Sequence, residues 1–221
     1  MDQSIPLSQK LYLLGIRPEK GGLNSATYQV IGFVLSGALF LELFQHKNIR
    51  FEGKNVVFMN DKTSDPIHQF LLEKIKQKPR PLKLATWISK LSFSQKFIRK
   101  ETQQGLVDKR LIKMEPRQFL FFHWERSQIL NHQLVYKLIS EIENLIFKGT
   151  ENEEEIMLLS MLKPAGLLKR IFPEREKRKL ATEKLKKMMI GNQVSEAVSQ
   201  AISAAQAVAA SVAITAAATH R

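Results

Sequence analysis

Apolar residues recur every three or four positions along most of the chain, which is the spacing of amphipathic helices. Residues 66–77 show this spacing plainly, with Ile67, Phe70, Leu71 and Ile75 on one predicted face. The same spacing, together with capping residues and helix-breaking prolines and glycines, predicts further helices. They cover residues 7–14, 84–91, 94–105, 131–148, 153–163, 164–171 and 174–189.

Residues 27–44 depart from this pattern because they are apolar nearly all round. An all-round apolar helix is typical of a helix buried on every side. The longest apolar stretch inside the segment, residues 30–41, is 12 residues long. A membrane-spanning helix needs about 20 apolar residues, so we interpret the segment as a central core helix.

Two other segments alternate between apolar and polar residues and predict β-hairpins. The first covers residues 49–58. The second covers residues 111–122, with its turn at 115–118 and an aromatic returning strand. The predicted fold class is therefore mainly α. We expect a single compact helical domain over residues 1–221, with a buried central helix and two β-hairpins.

The last predicted helix is rich in alanine and carries a narrow seam of small apolar residues. The seam positions are three or four residues apart: Val194, Val198, Ala201, Ala205, Val208 and Val212. Because a small-residue seam suits close packing, we expect a helix over about residues 194–214 to dock on the domain.

The net charge of +13 is concentrated in two blocks. Residues 80–113 contain nine basic residues against two acidic ones, and residues 163–187 contain ten against three. Such an excess favours an anionic partner: nucleic acid, a lipid surface or a phosphorylated ligand. The alternative is that these long side chains only solvate helix faces.

The sequence contains no cysteine, which excludes disulfides, thiolate metal sites and cysteine nucleophiles. It also lacks the glycine-rich phosphate loops, the HExxH zinc motif and the GxSxG nucleophile motif. The five histidines do not have the spacing of metal ligands. We therefore expect no enzyme activity, no cofactor and no metal. Glu42, the carboxylate of the apolar central segment, is expected to reach a partner or water near the helix end.

The predicted helix 94–105 presents a short row of cations. Lys96, Arg99 and Lys100 lie at i, i+3 and i+4 and share one face with Gln103. Arginine binds phosphate oxygens through two parallel hydrogen bonds and lysine adds a point charge, so this row suits a phosphate group. The alternative is an exposed basic helix face. Phe97 and Ile98 are expected to anchor the helix in the core.

The second hairpin ends in a run of large apolar residues: Phe119, Leu120, Phe121 and Phe122, followed by Trp124. Alternation along a strand places these side chains on both faces. One face then belongs to the core, and the other needs a partner subunit or a membrane. The alternative is that helices of the same domain cover both faces.

Several stretches also have an order and spacing that together point to a known family. They are LYLLG at 11–15, LSGALFLEL at 35–43, DKTSDP at 61–66, TWI at 86–88, GLVDKRL at 105–111, FLFF at 119–122, LLSML at 158–162 and AGLLK at 165–169. These stretches resemble segments of the GPP34 family, the family of Golgi phosphoprotein 3. The similarity runs from about residue 5 to residue 214.

The resemblance implies a mostly α-helical domain with β-hairpins. Eukaryotic members bind phosphatidylinositol 4-phosphate on the cytosolic face of the Golgi and help to retain glycosyltransferases by binding their cytosolic tails. Their headgroup pocket uses an early Trp and Arg and two later Arg residues spaced i, i+3. The later pair aligns with Lys96 and Arg99, and the early pair with Thr27 and Ser36. With the adjacent Lys100, these form the implied headgroup site.

In the family, the hairpin that corresponds to residues 111–122 supports membrane contact and self-association. Eukaryotic members also carry a long basic N-terminal arm, whereas this chain starts a few residues before the first shared stretch. In this respect it resembles the bacterial branch. A Golgi location is therefore expected only if the source is eukaryotic.

The leading prediction is a non-catalytic, peripheral membrane protein of the cytoplasm, on the cytosolic membrane face. It would bind anionic phospholipid headgroups through a basic pocket and use the hairpin for membrane contact or self-association. The alternative is a cytosolic oligomeric scaffold that recruits acidic segments or tail peptides. Nucleic acid is not the expected partner, because the Trp and Tyr residues are not interleaved with the cations as stacking platforms would be.

Overall fold

A computed structural model of the chain describes residues 5–190 and 192–218, with residues 205 and 208–218 described by their backbone alone. The helices are α1 (Leu7–Gly15), α2 (Ser25–Gln45), α3 (Pro66–Lys76), α4 (Leu84–Lys90), α5 (Gln95–Asp108), α6 (His132–Lys148), α7 (Glu153–Leu162), α8 (Leu168–Ile171), α9 (Arg175–Met188) and α10 (Gln193–Ala218). The strands are β1 (Ile49–Glu52), β2 (Asn55–Phe58), β3 (Leu82–Lys83), β4 (Ile112–Phe119) and β5 (Phe122–Ile129). The predicted mainly α fold class is confirmed.

Helix α2 is the centre of the apolar core, and α1, α4, α5, α7 and α10 pack around it. Asn24 caps its N-terminus by accepting a hydrogen bond from the backbone N–H of Thr27 at 3.0 Å. Among the described residues, α2 is the one helix long and apolar enough to cross a membrane by length and composition. In the most apolar stretch of 18 residues within α2, 67% of the positions are buried. This agrees with the prediction of a core helix.

Helix α10 packs on α2. Val198 and Ile202 are fully buried, and Ala201 is nearly so. A Cβ on Gly37 would lie 2.9 Å from Cγ1 of Ile202, so the glycine allows the two helices to approach closely. Val194 is partly buried against the core, and the side chains of the remaining seam positions Ala205, Val208 and Val212 lie outside the described residues.

The first hairpin forms as predicted, with Ile49 opposite Phe58 at one end and Glu52 opposite Asn55 at the other. The two-residue strand β3 pairs with β2 and makes this sheet three-stranded. The sequence did not predict β3, because a strand of two residues has no alternation to detect.

The second hairpin is longer than predicted, and its turn lies elsewhere. Strands β4 and β5 pair from Ile112 opposite Ile129 to Phe119 opposite Phe122, so the chain reverses at residues 120–121. The predicted turn at 115–118 is wrong, because Pro116 lies within β4. Each strand of a two-stranded ribbon has a free edge, where a proline that lacks an N–H can be accommodated. The aromatic run therefore forms the tip of the hairpin.

Candidate functional site

The second hairpin, α5 and the turn before α2 enclose a surface cavity of about 570 Å³, here called the basic cavity. It brings together two of the predicted cations, Lys96 and Arg99. The complete lining is Tyr12, Arg17, Gly22, Leu23, Tyr28, Lys96, Arg99, Gln103, Met114, Trp124, Glu125, Arg126 and Ser127.

Four of these side chains are cations, and Glu125 is the one acid among them. Lys96 and Arg99 form no ion pair with any described residue. Arg17 and Arg126 each donate one hydrogen bond to a backbone carbonyl, from Nε to Gly21 at 3.1 Å and from Nη1 to Lys20 at 3.1 Å. A guanidinium has five N–H groups, so both arginines keep donors for a ligand.

Two glycines hold Arg17 against β5. Gly21 and Gly22 have φ angles of +63° and +62°, and the Gly22 N–H donates to the carbonyl of Ser127 at 2.7 Å. A Cβ on Gly21 would lie 2.8 Å from that same carbonyl oxygen and would also strike the side chain of Gln128. Only glycine fits both the backbone angle and the close approach. The turn therefore fixes one cation of the cavity to the hairpin.

Tyr28 and Trp124 add aromatic surface to the cavity. The guanidinium of Arg99 stacks on the ring of Tyr28, with 4.7 Å between its central carbon and the ring centroid. This cation–π contact orients the guanidinium without neutralising its charge. Both rings remain largely accessible, with Tyr28 60% and Trp124 43% exposed.

Three hydrogen-bonded side chains fix the geometry at the base of the cavity. The Tyr12 hydroxyl lies 2.8 Å from Oγ of Ser127, and Nε2 of Gln103 donates to the Tyr12 hydroxyl at 2.6 Å. These residues belong to α1, β5 and α5, so the trio ties the hairpin to the helix that carries Lys96 and Arg99. The cations are thus presented by elements that are held together rather than by independent loops.

Two residues of the implied headgroup site lie in the core and not in the basic cavity. Thr27 and Ser36 are fully buried. The Thr27 hydroxyl donates to the carbonyl of Ala165 at 2.9 Å, and the Ser36 hydroxyl donates to that of Gly32 at 2.9 Å. These internal partners already satisfy both hydroxyls. The neighbouring Tyr28 is the residue of this segment that lines the cavity.

The predicted cations of α5 do not all line the basic cavity. Lys100 is exposed and does not line the cavity. Ile98 is buried as expected, but Phe97 is 38% exposed and packs on Phe70, with 4.7 Å between the ring centroids. The expectation that Phe97 anchors α5 in the core is therefore only partly met.

Sequence reasoning did not assign Arg17, Tyr28 or Arg126 to the site, and it named Trp124 only with the apolar run of the hairpin. Trp124 and Arg126 are two positions apart on β5, which places their side chains on the same face of the strand. If the turn had been predicted at residues 120–121, the sequence would have shown that Trp124 and Arg126 share a strand face. Arg17 carried a weaker signal, since it directly precedes a turn rich in glycine.

A second polar cluster lies at the other end of α2. The buried Glu42 carboxylate accepts from the backbone N–H of Ser8 at 2.6 Å and lies 2.8 Å from Nε2 of His68. Burial opposes the charged form of His68, but the hydrogen bond and charge of Glu42 outweigh it, so the pKa of His68 is raised. Glu42 thus reaches protein partners, as expected. In the described part of the chain, no cluster of acidic, histidine or cysteine residues could hold a metal ion.

Comparison with family models gives a match over most of the chain. The model of the family described as Golgi phosphoprotein 3 (GPP34) matches residues 7–205. This range contains the central helix, both hairpins and every residue that lines the basic cavity. No curated protein sequence matches the chain.

Proposed function

The chain belongs to the Golgi phosphoprotein 3 (GPP34) family, and on that premise we propose that it is a non-catalytic peripheral membrane protein. It binds anionic phospholipid headgroups in the basic cavity, on a cytosolic membrane face. The observation that carries this proposal is the convergence of Arg17, Lys96, Arg99 and Arg126 on one cavity with a single acid in its lining.

The chemistry of the cavity suits a phosphate on a bulky headgroup. Arginine guanidinium groups bind phosphate oxygens in pairs, and Lys96 adds a compact positive charge. A volume of about 570 Å³ falls within the range of small-molecule sites. Lys96 also lies in the first turn of α5, where the partial positive charge of the helix N-terminus favours an anion.

The hairpin tip supplies an apolar surface next to this charge. Phe119, Leu120, Phe121 and Phe122 are between 66% and 92% exposed. Trp124 lines the cavity and Phe121 lies three residues before it, which is about 10 Å along an extended strand. A headgroup held in the cavity would therefore bring the tip to the acyl chains of the same membrane, where apolar insertion is favourable.

The residues that line the cavity indicate the class of lipid headgroup that it binds. The positions aligned with the family's early Trp and Arg are Thr27 and Ser36, which lie in the core. In this chain Tyr28 supplies an aromatic surface, while Arg17 and Arg126 supply charge. We therefore propose phosphoinositide-type anionic headgroups as the ligand class and make the preference for phosphatidylinositol 4-phosphate part of the test.

Co-sedimentation with vesicles tests the proposal. Neutral phosphatidylcholine vesicles are compared with vesicles that also contain phosphatidylserine or phosphatidylinositol 4-phosphate at equal total charge. We expect binding to the anionic vesicles only, weakened by salt. Lys96→Gln/Arg99→Gln is expected to lose about tenfold or more in affinity, since a hydrogen bond to a charged group contributes about 1.5–3 kcal/mol.

The matched control is Lys179→Gln/Lys187→Gln, which removes the same charge from exposed positions on α9. A general attraction of a basic protein to a negative surface would weaken equally in both double variants. Binding that is equal on neutral and anionic vesicles, or that survives Lys96→Gln/Arg99→Gln unchanged, would refute headgroup binding in the basic cavity.

The exposed hairpin tip also favours a second candidate, a cytosolic oligomeric scaffold. Four adjacent large apolar side chains in water are typical of an interface. In that case the tips of several chains pack together, and the basic cavity recruits acidic peptides. Light scattering of Phe119→Ser/Phe121→Ser separates the two functions. If the variant no longer assembles but still binds vesicles, the scaffold is supported. If the wild type is already a monomer and the variant loses vesicle binding, insertion into the membrane is supported.

A further inference from the structure

Phe93 is the most exposed large apolar side chain of the described residues, at 95%. It belongs to the 3-10 turn Leu91–Ser94 that joins α4 to α5. Leu91, at the start of the same turn, is 1% exposed and packs in the core. The core thus holds the backbone of this turn while the ring of Phe93 points into solvent. A single exposed ring is common on protein surfaces, so the surroundings of Phe93 decide whether it has a partner.

The surroundings of Phe93 are basic. Lys90, Lys96 and Lys100 are all exposed and form no ion pair with a described residue. Lys96 and Lys100 follow Phe93 by three and seven residues, which places all three on about the same face of the helical segment. The half-exposed ring of Phe97 lies on this face too. An aromatic ring among cations is the composition of a contact with an anionic bilayer.

This surface is continuous with the basic cavity. Lys96 lines the cavity, and Phe93 precedes it by three residues, about 5 Å along a helix axis. Trp124 and Arg126 line the same cavity from β5, the strand that begins at the hairpin tip. An apolar group therefore lies close in sequence to a lining residue on each of the two elements, Phe93 to Lys96 and Phe122 to Trp124.

We infer that Phe93 is a second membrane anchor, which inserts into an anionic bilayer beside the headgroup bound in the basic cavity. The inference rests on the proposed function and adds to it a particular orientation on the membrane. One anchor leaves the protein free to tilt about the hairpin tip. Two anchors with a headgroup between them bind as one multivalent surface, because each contact raises the local concentration for the next.

The absence of cysteine from the chain makes a direct test simple. Phe93→Cys, labelled with an environment-sensitive fluorophore, is mixed with anionic and neutral vesicles. We expect a blue shift with anionic vesicles only, and quenching by lipids that carry a quencher in their acyl chains. The matched control is labelled Ile190→Cys, because Ile190 is also apolar and 76% exposed but follows α9. Its fluorescence should not change.

A second measurement separates this inference from headgroup binding. Phe93→Ser should weaken vesicle binding by about tenfold, the lower end of the range for burying a phenylalanine. Phe93→Leu should restore most of the affinity, and Ile190→Ser should leave it unchanged. Binding of a soluble, short-chain phosphatidylinositol 4-phosphate should be the same in Phe93→Ser as in the wild type, because Phe93 does not line the cavity.

Each alternative outcome is distinct. If the wild type binds anionic vesicles and Lys96→Gln/Arg99→Gln does not, but the probe at position 93 stays in water, the second anchor is refuted and the proposed function stands. If the probe becomes shielded without vesicles as the protein concentration rises, Phe93 contacts a second copy of the chain and the inference is refuted. If the wild type binds no anionic vesicle, the proposed function fails and this inference fails with it.

Discussion

The basic cavity and the Glu42–His68 pair are both clusters of charged side chains, yet their charges are used differently. Glu42 and His68 are 4% and 3% exposed, and the carboxylate is bound by His68 and by the N–H of Ser8. Lys96 and Arg99 are accessible, and no described acid pairs with them. The charged groups of the first cluster are paired within the protein. The cations of the second cluster have no acidic partner among the described residues.

The contrast separates a structural role from a binding role. A buried charge that lost its partner would remain in a medium of low dielectric, so the Glu42–His68 pair should matter for folding. The cations that line one accessible cavity repel one another, and a bound anion relieves that repulsion. Variants of the two clusters should therefore fail in different assays: stability for the first and vesicle binding for the second.

The largest expected effect on stability comes from Glu42→Ala. It leaves His68 and the N–H of Ser8 without their acceptor inside the core, and removal of one partner of a buried pair costs about 3–5 kcal/mol. We expect urea unfolding to show a loss of this size. Glu73→Ala is the matched control, since Glu73 is exposed on α3 and should change stability by no more than about 0.5 kcal/mol.

The same comparison requires Lys96→Gln/Arg99→Gln to unfold at nearly the same urea concentration as the wild type. A large loss of stability in that variant would show that the cavity cations hold the fold together and would remove the distinction between the two clusters.

Gly21→Ala should have a smaller effect on stability, and it should be detected in both the unfolding and the vesicle assays. The new Cβ would meet the carbonyl of Ser127 and would hold alanine at a φ of +63°. Gly53 has a similar φ of +58° with nothing within 4 Å, so Gly53→Ala measures the backbone cost alone, about 1 kcal/mol. We expect Gly21→Ala to cost about 2 kcal/mol or more.

Gly21→Ala should also weaken vesicle binding, because the turn that it displaces positions Arg17. Gly53→Ala should bind vesicles like the wild type. Equal behaviour of the two variants in both assays would show that the close approach to β5 is unimportant.

The sequence was a good guide to the helices and a poorer one to the cavity. The apolar segment 27–44 predicted α2 closely, because a helix that packs on every side has the same character at each position. The basic helix was also found, since Lys96 and Arg99 are close in sequence. In contrast, Arg17 and Arg126 are far apart along the chain and are brought together by hydrogen bonds that join the turn before α2 to β5, from Gly22 to Ser127 and from Arg126 to Lys20.

The error at the second hairpin has a simple physical cause. Pro116 suggested a turn, because proline cannot donate a ladder hydrogen bond in a central strand. In a ribbon of two strands this restriction is weaker, and Pro116 lies opposite Glu125. The turn moved by several residues, so the rings expected along a strand lie at an exposed tip. Alignment with the family points to Thr27, whereas the residue of this segment that lines the cavity is its neighbour Tyr28.

The smallest expected effect is the pH dependence that His68 gives to stability. Burial disfavours the charged imidazole, but Glu42, with a smaller contribution from Asp65, raises the pKa of His68 above 6.5, its ordinary value. A raised pKa in the folded state means that protonation favours folding. This contribution is fully present below the unfolded pKa and is lost as the pH rises through the higher folded pKa.

Urea midpoints should therefore be higher near about pH 6 than near about pH 8, and His68→Gln should flatten this difference. His46→Gln is the control variant, because the His46 ring lies edge-on to His68 with 5.5 Å between the centroids. An unchanged slope in His68→Gln would refute the assignment of this pH dependence to His68.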